Sequence, residues 1–294
     1  MTGQPPYALP TTFLGTRNTS PQARRCVAGI PFDLGTSFRP GARFAPNAIR
    51  MASRMLCDGE HPVFRQDPAA GDLADVGDFV LPHGDVEGAM KAIAEQAAPI
   101  GHLVALGGDH TVTLGLLRAL AARTGPLAMV HFDGHVDTWP DTFGQAVSHG
   151  SVFRHAIDEG LVAPHHMIQI GIRSPVPGEV RDWTEAQGVR VVTAEDVHLD
   201  GPKAVAAAVR ALVGERPAYL SFDVDALDPS QAPGTGTPEV GGLFTWQVLA
   251  ILRRLTGVNF VGMDVVEVCP PYDVADITAL AAATVAWEYL ALTA

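Results

Sequence analysis

Three hydrophobic runs that each end in Asp or His constrain this chain more than any other feature. They are HLVALGGDH (102–110), PLAMVHFDGHVD (126–137) and AYLSFDVD (218–225). Residues two apart on an extended strand share a face. Asp133-x-His135-x-Asp137 and Asp223-x-Asp225 therefore each direct several donor atoms to one spot. One such pair alone is commonly a helix cap or a solvated turn. Three strand ends of the same kind read as a site, because open α/β sheets bind ligands at the carboxyl ends of their strands. Asp and His together suit hard-to-borderline divalent cations, and four carboxylates offset the charge of two. The pattern predicts a two-metal hydrolytic centre.

Around these runs, strand-like and helical segments alternate. Strands are expected at 26–32, 102–106, 126–132, 167–172, 189–193, 218–222 and 259–265. Helices are expected at 46–56, 86–99, 111–123, from about Gly150, at 201–214, at 245–256 and from Asp276 to the end. Continuous apolar strands separated by helices imply a sheet covered on both faces. The expected fold is a three-layer α/β/α arrangement with a mostly parallel sheet. No repeat or linker divides the 294 residues, which read as a single domain. Residues 1–24, rich in Pro, Thr, Gln and Arg, read as an extended arm over the surface or at a subunit contact.

A formal charge of −12 argues against a nucleic-acid partner, which would need a basic stripe, and mildly favours a cationic substrate. Cys26, Cys57 and Cys269 form no C-x-x-C pair and read as reduced thiols. The opening MTGQPPYALPTTF lacks the basic and apolar regions of a signal peptide. No apolar stretch approaches the length of a membrane span. A cytoplasmic protein without membrane association is expected.

Two further blocks sharpen the reading. In LGGDHTVTLG (106–115) the glycine pair lets backbone approach a ligand closely, and His110 is the better donor, with Asp109 a cap or a support. In SFDVDALDPSQAPGTGTPEVGG (221–242), Asp223 and Asp225 precede a long Pro/Gly-rich loop suited to wall a site. With SFRPGARFAPNAIR (37–50), HFDGHVDT, SHGSVFRHAIDEG, QIGIR and GMDVVEVCPPYD, these blocks make the chain resemble the ureohydrolases: arginases, agmatinases and related guanidino-compound hydrolases. The likeness runs from about residue 26 to the end, in the family's order, and is closest in pattern to the agmatinase-like members. It implies an arginase/deacetylase-like fold. Gly134 departs from it, standing where the family usually has Ala, which removes a methyl and loosens the strand end.

Carried over position by position, the resemblance makes His110, Asp133, Asp137 and Asp223 ligands of one Mn2+ ion. His135, Asp133, Asp223 and Asp225 then hold a second, with Asp133 and Asp223 bridging. His149 is implied as the proton shuttle and Glu267 as the group that holds the substrate guanidinium; their plain alternatives are a helix cap and an acid ion-paired to Arg173. An alkylguanidinium carbon is a poor electrophile and its amine a poor leaving group. Two metals roughly 3.5–4 Å apart that activate a water, together with a general acid, answer both needs. The loop WPDTFGQAVSH (139–149) has Asp141 and no Lys or Arg, which favours agmatine over arginine or a guanidino acid such as 4-guanidinobutyrate, 3-guanidinopropionate or an antibiotic-pathway compound. Arg39 or Arg43 could instead meet a substrate carboxylate. A metal-binding subunit without turnover and a two-metal phosphoesterase fit less well, the latter for want of cations near the metals. The resemblance also implies a homo-oligomer, trimeric or hexameric.

Overall fold

The computed structural model describes residues 5–294. Eight strands form one sheet: β1 Arg25–Gly29, β2 Leu73–Asp78, β3 Leu103–Leu106, β4 Leu127–Phe132, β5 Val162–Ile172, β6 Arg190–Thr193, β7 Ala218–Asp223 and β8 Phe260–Val266. Their order is β2-β1-β3-β8-β7-β4-β5-β6, and every pairing is parallel. The expected mostly parallel sheet is thus wholly parallel.

The apolar runs are continuous because alternate residues feed two separate cores. Ala128, Val130 and Phe132 of β4 join Leu220 and Phe222 of β7 on one face. Against them pack α1 Ala45–Ser53, α6 Ala194–Val213, α7 Thr245–Leu252 and α8 Ile277–Leu292. Leu127 and Met129 share the other core with α2 Val86–Ala97, α3 Val112–Thr124 and α4 Val152–Asp158. Burial on both faces of each central strand is what a parallel sheet between helix layers requires. A shorter helix, α5 Gly178–Ala186, sets Val180 against Val136 and Ile172.

Two elements are absent from the sequence reading. The edge strand β2 has only six residues, LADVGD, with two aspartates and a glycine, so it lacks the apolar run of its neighbours. Helix α5, GEVRDWTEA, is short and buries only Val180 and Thr184. The segment expected as a helix over 201–214 is the second part of α6, which breaks at Gly201 (φ 76°). Residues 5–24 contain two single turns, Pro6–Ala8 and Phe13–Gly15. Phe13 and Leu14 are buried in the core, their backbone N–H groups held by Asp75 Oδ2 (2.7 Å) and Ser53 Oγ (2.8 Å).

Candidate active site

The sheet order brings the strand ends together. His110 follows β3, Glu267 follows β8, Asp223 ends β7 and Asp133 follows β4, and these four strands are consecutive at the middle of the sheet. Segments more than a hundred residues apart in sequence thereby meet at one carboxyl edge. Gly108 is needed here: a Cβ on it would lie 1.9 Å from the Phe32 carbonyl oxygen. That close approach lets Asp109 N–H donate to Phe32 at 2.8 Å and sets His110 over the sheet edge.

Two donor groups share Asp133. His110 Nδ1 lies 3.2 Å from Asp133 Oδ2, 3.0 Å from Asp137 Oδ2 and 3.3 Å from Asp223 Oδ2. His135 Nδ1 lies 3.2 Å from Asp133 Oδ1 and 3.0 Å from Asp225 Oδ2. Each Asp133 oxygen therefore faces a different imidazole. Asp223 meets the His110 side; its expected second contact, on the His135 side, is not among these distances. His110 Nδ1 is buried without a hydrogen-bond partner among the described residues. None of the four carboxylates receives a hydrogen bond from a lysine or arginine there. An orphaned imidazole nitrogen ringed by carboxylate oxygens in a buried site is a donor set for divalent cations. The residues present fit two such ions.

Hydrogen bonds fix the tautomer this requires. Ser221 Oγ donates to Asp264 Oδ1 (2.7 Å) and lies 2.8 Å from His110 Nε2. It must therefore accept the Nε2 proton, which leaves the lone pair of His110 on Nδ1. Asp264 also accepts from Thr113 Oγ1 at 2.8 Å and Tyr219 OH at 3.0 Å, all inside the core. His131 lies under the site: its Nε2 is 2.8 Å from Asp133 Oδ2, while Gln169 Nε2 is 3.2 Å from its Nδ1. With both nitrogens engaged, His131 orients Asp133.

The charges bear on one another strongly. Burial raises the Asp133 carboxyl, but His131, His110 and His135 hold it well below the usual carboxylate range. Burial, then the charges of Asp225 and Asp133, push Asp223 well up, and burial pushes Asp225 up to about 6. Added cations relieve this crowding. Asp137 (φ 50°) and Glu267 (φ 63°) both take left-handed backbone conformations uncommon for side chains of their kind. Strain of this sort gathers at functional sites, where the surrounding structure enforces it.

His149 stands beside this cluster in the first turn before α4 and does not simply cap it. Its Nδ1 lies 3.0 Å from Glu267 Oε1, and Ser37 Oγ and N lie 2.8 and 3.2 Å from its Nε2. Burial lowers the imidazole, yet the Glu267 hydrogen bond and charge overcome this and push it up to about 9. Glu267 Oε1 also accepts the His110 backbone N–H at 2.9 Å, while Oε2 is buried and unpartnered among the described residues. The ion pair of Glu267 with Arg173, weighed from the sequence, does not form. Arg173 instead reaches main-chain carbonyls, among them Asp225 O and Glu239 O at 2.6 Å each, and holds the 225–240 loop.

A pocket of about 280 Å³ opens over the cluster, lined by His135, Asp137, Asp223 and His149 below and by Trp139, Asp141, Thr142 and Phe143 at its wall. Ser37, Gly150, Ser174 and Thr237 complete it. Arg43 is committed to Asp33. Arg39 lies over the rings of Phe38 and Tyr272, at 5.4 and 5.1 Å, with no ion pair among the described residues. Beside Gly134, a Cβ would lie 3.0 Å from Arg173 Nη1 and 3.2 Å from Asp225 Oδ1, so the arginine occupies the space that the missing methyl leaves. Asp109 ties down the 33–37 loop, accepting Gly35 N–H at 2.7 Å and Thr111 N–H at 2.9 Å. Ser37, Ser221 and Asp264 had no role assigned from sequence. A serine carries little chemical signal until its neighbours are known.

The arginase family model matches residues 23–291. The chain is 44% identical to an agmatinase of Photorhabdus laumondii over 94% of its own length and 89% of that protein's. It is 42% identical to proclavaminate amidinohydrolase of Streptomyces clavuligerus, covering 97% and 94% of the two chains. The solved structure of that Streptomyces enzyme superposes with a TM-score of 0.92 at 40% identity over 98% of both chains. A hypothetical agmatinase from Burkholderia thailandensis gives 0.91 at 41% identity, covering 98% of this chain and 92% of the other. With these likenesses added to a donor set for two cations at the centre of a parallel sheet, the chain belongs to the arginase family and is a ureohydrolase.

Proposed function

We propose that this ureohydrolase converts agmatine and water to urea and putrescine, with two Mn2+ ions as cofactors. His110, Asp133, Asp137 and Asp223 would hold one ion, and His135, Asp133, Asp223 and Asp225 the other. Ions so held would lower the pKa of a bound water toward neutrality and so supply the nucleophile. Glu267 offers the charge that fixes a guanidinium through paired hydrogen bonds. Its Oε1 already positions His149, and its Oε2 is without a partner among the described residues. His149 is the general acid for the departing amine. The same reading takes the protein as a homo-oligomer, trimeric or hexameric.

The observation that carries the choice of agmatine is the pocket lining. Apart from the metal-ligand carboxylates, Asp141 is its one charged carboxylate, and no Lys or Arg lines it. A tail ending in an ammonium suits such a wall; a tail ending in a carboxylate does not. The second reading is the same chemistry on a guanidino acid. It is supported by the likeness to proclavaminate amidinohydrolase and by Arg39, which has no ion pair among the described residues. Urea release by manganese-loaded protein is measured against agmatine, arginine, 4-guanidinobutyrate and 3-guanidinopropionate at equal concentration. Preference for agmatine is expected. Preference for an acid would overturn the tail assignment and leave the hydrolytic reading intact.

A further inference from the structure

We infer that Gln169, a buried residue of β5 outside the pocket lining, is a positioning residue for the cation-binding donor set. Its side-chain amide fixes the proton of His131 and the main chain between His135 and Asp137. This rests on the proposed role of Asp133, His135 and Asp137 as cation ligands, and it concerns what aims those ligands.

Gln169 ends a polar row that crosses the sheet. It is in register with His131 of β4, His131 with Ser221 of β7, and Ser221 with Asp264 of β8. All four side chains are buried. His131 and Ser221 each stand two residues before a ligand of their own strand, Asp133 and Asp223, and so share its face. The Asp264 end of the row serves His110 through Ser221. The Gln169 end serves Asp133 through His131.

The orientation of the amide follows from its neighbours. The Val136 carbonyl oxygen lies 2.6 Å from Gln169 Nε2. A carbonyl oxygen only accepts, so the atom facing it is the amide nitrogen and not the amide oxygen. Oε1 is buried without a partner among the described residues, so the engaged end is the donor end. One amide proton goes to Val136, and the other faces His131 Nδ1 at 3.2 Å. A proton on Nδ1 would meet it head-on, so Nδ1 keeps its lone pair. The ring proton is then on Nε2, which donates to Asp133 Oδ2 at 2.8 Å.

Two ligands are set by this one group. Asp133 Oδ2 is the oxygen that faces His110 Nδ1, while Oδ1 accepts the His135 backbone N–H at 2.6 Å. Each oxygen is thus held toward its own imidazole, the first by Gln169 acting through His131. The Val136 peptide joins His135 to Asp137, and Asp137 has a left-handed backbone (φ 50°). Holding the carbonyl beside it keeps that turn from relaxing.

Mn2+ titration of the chelated full chain, followed by calorimetry, tests this. Loss of a group that orients a metal ligand costs about 10- to 100-fold in affinity. Gln169→Leu, which has no donor, is expected to raise the Kd by that factor. Gln169→Glu, which has the same size and at most one donor, is expected to raise it less. At saturating Mn2+, KM for the guanidino compound turned over fastest should stay within about twofold of wild type, since Gln169 meets no substrate. NMR of isotope-labelled histidine in the metal-free protein reads the proton itself. The His131 signal, identified by its loss in His131→Gln, should show the proton on Nε2 alone in wild type and a mixture of forms in Gln169→Leu. An unchanged Kd in Gln169→Leu, or in Gln169→Glu should the leucine variant not fold, would overturn the inference. So would a proton on Nδ1 in wild type. Failure of both variants to fold would make Gln169 a structural residue and overturn it as well. Wild type that takes up no Mn2+ defeats the two-cation reading itself, whereas Mn2+ binding indifferent to Gln169 defeats this inference alone.

Discussion

Glu267 Oε1 lies 3.0 Å from His149 Nδ1, so the carboxylate proposed to hold the substrate also sets the proton affinity of the proposed acid. Glu267→Gln keeps an acceptor for the imidazole and removes the charge that raises it to about 9. Urea release is expected to fall at least about 100-fold. An acid acts in its protonated form, so activity is lost as pH rises through its pKa. In Glu267→Gln the alkaline limb of the kcat profile moves to lower pH. A residual profile with an unshifted limb would exclude His149 as the titrating acid.

Asp133 is the one residue with an oxygen toward each imidazole. Asp133→Ala is therefore expected to empty both cation positions, and Asp225→Ala chiefly the one beside His135. Metal content of purified protein, read by elemental analysis, gives the comparison. Retention of one full equivalent by Asp133→Ala would count against a shared ligand. Chelated wild type is expected to lose urea release and to regain it with Mn2+.

Asp141 is exposed and holds one loop N–H, that of Gly144, at 2.8 Å. An exposed ion pair contributes up to about 1 kcal/mol, so Asp141→Asn should raise KM for agmatine about fivefold with kcat nearly unchanged. KM for 4-guanidinobutyrate should stay level or fall. Equal rises for both compounds would locate the ammonium elsewhere.

Away from the site, Glu288 holds the Arg253 guanidinium and the His61 ring together. It accepts from Arg253 and lies 2.9 Å from His61 Nε2, and both Glu288 and His61 are buried. Truncating one member of such a buried set leaves its partners uncompensated. Glu288→Ala is expected to cost about 3 kcal/mol of stability. Urea denaturation measures the loss, while specific activity of the folded fraction should hold.

The donor residues were legible in sequence because the strand period is two and each donor sits at the end of an apolar run. Asp133, His135 and Asp137 declare themselves in five consecutive positions. The sheet order was not legible, since nothing local to β8 says that it inserts between β3 and β7. Ser37 and Asp264 were hidden for the same reason: their partners lie 112 and 43 residues away. Strand β2 was missed because an edge strand can carry Asp75, a buried carboxylate satisfied by Arg50 and by the Phe13 N–H, partners that nothing local to the strand announces.

The insertion of β8 has a consequence for how the molecule is made. Without it, the sheet is two pieces, β2-β1-β3 and β7-β4-β5-β6, with no ladder between them. His110 belongs to the first piece and Asp133 and Asp223 to the second. A nascent chain that has not yet delivered Phe260–Val266 has every proposed metal ligand already synthesised and no scaffold to gather them. A chain stopped at residue 259 should therefore fail to retain Mn2+ through gel filtration, and supplying residues 260–294 as a separate fragment is the way to ask whether capture of the ion waits on that last strand.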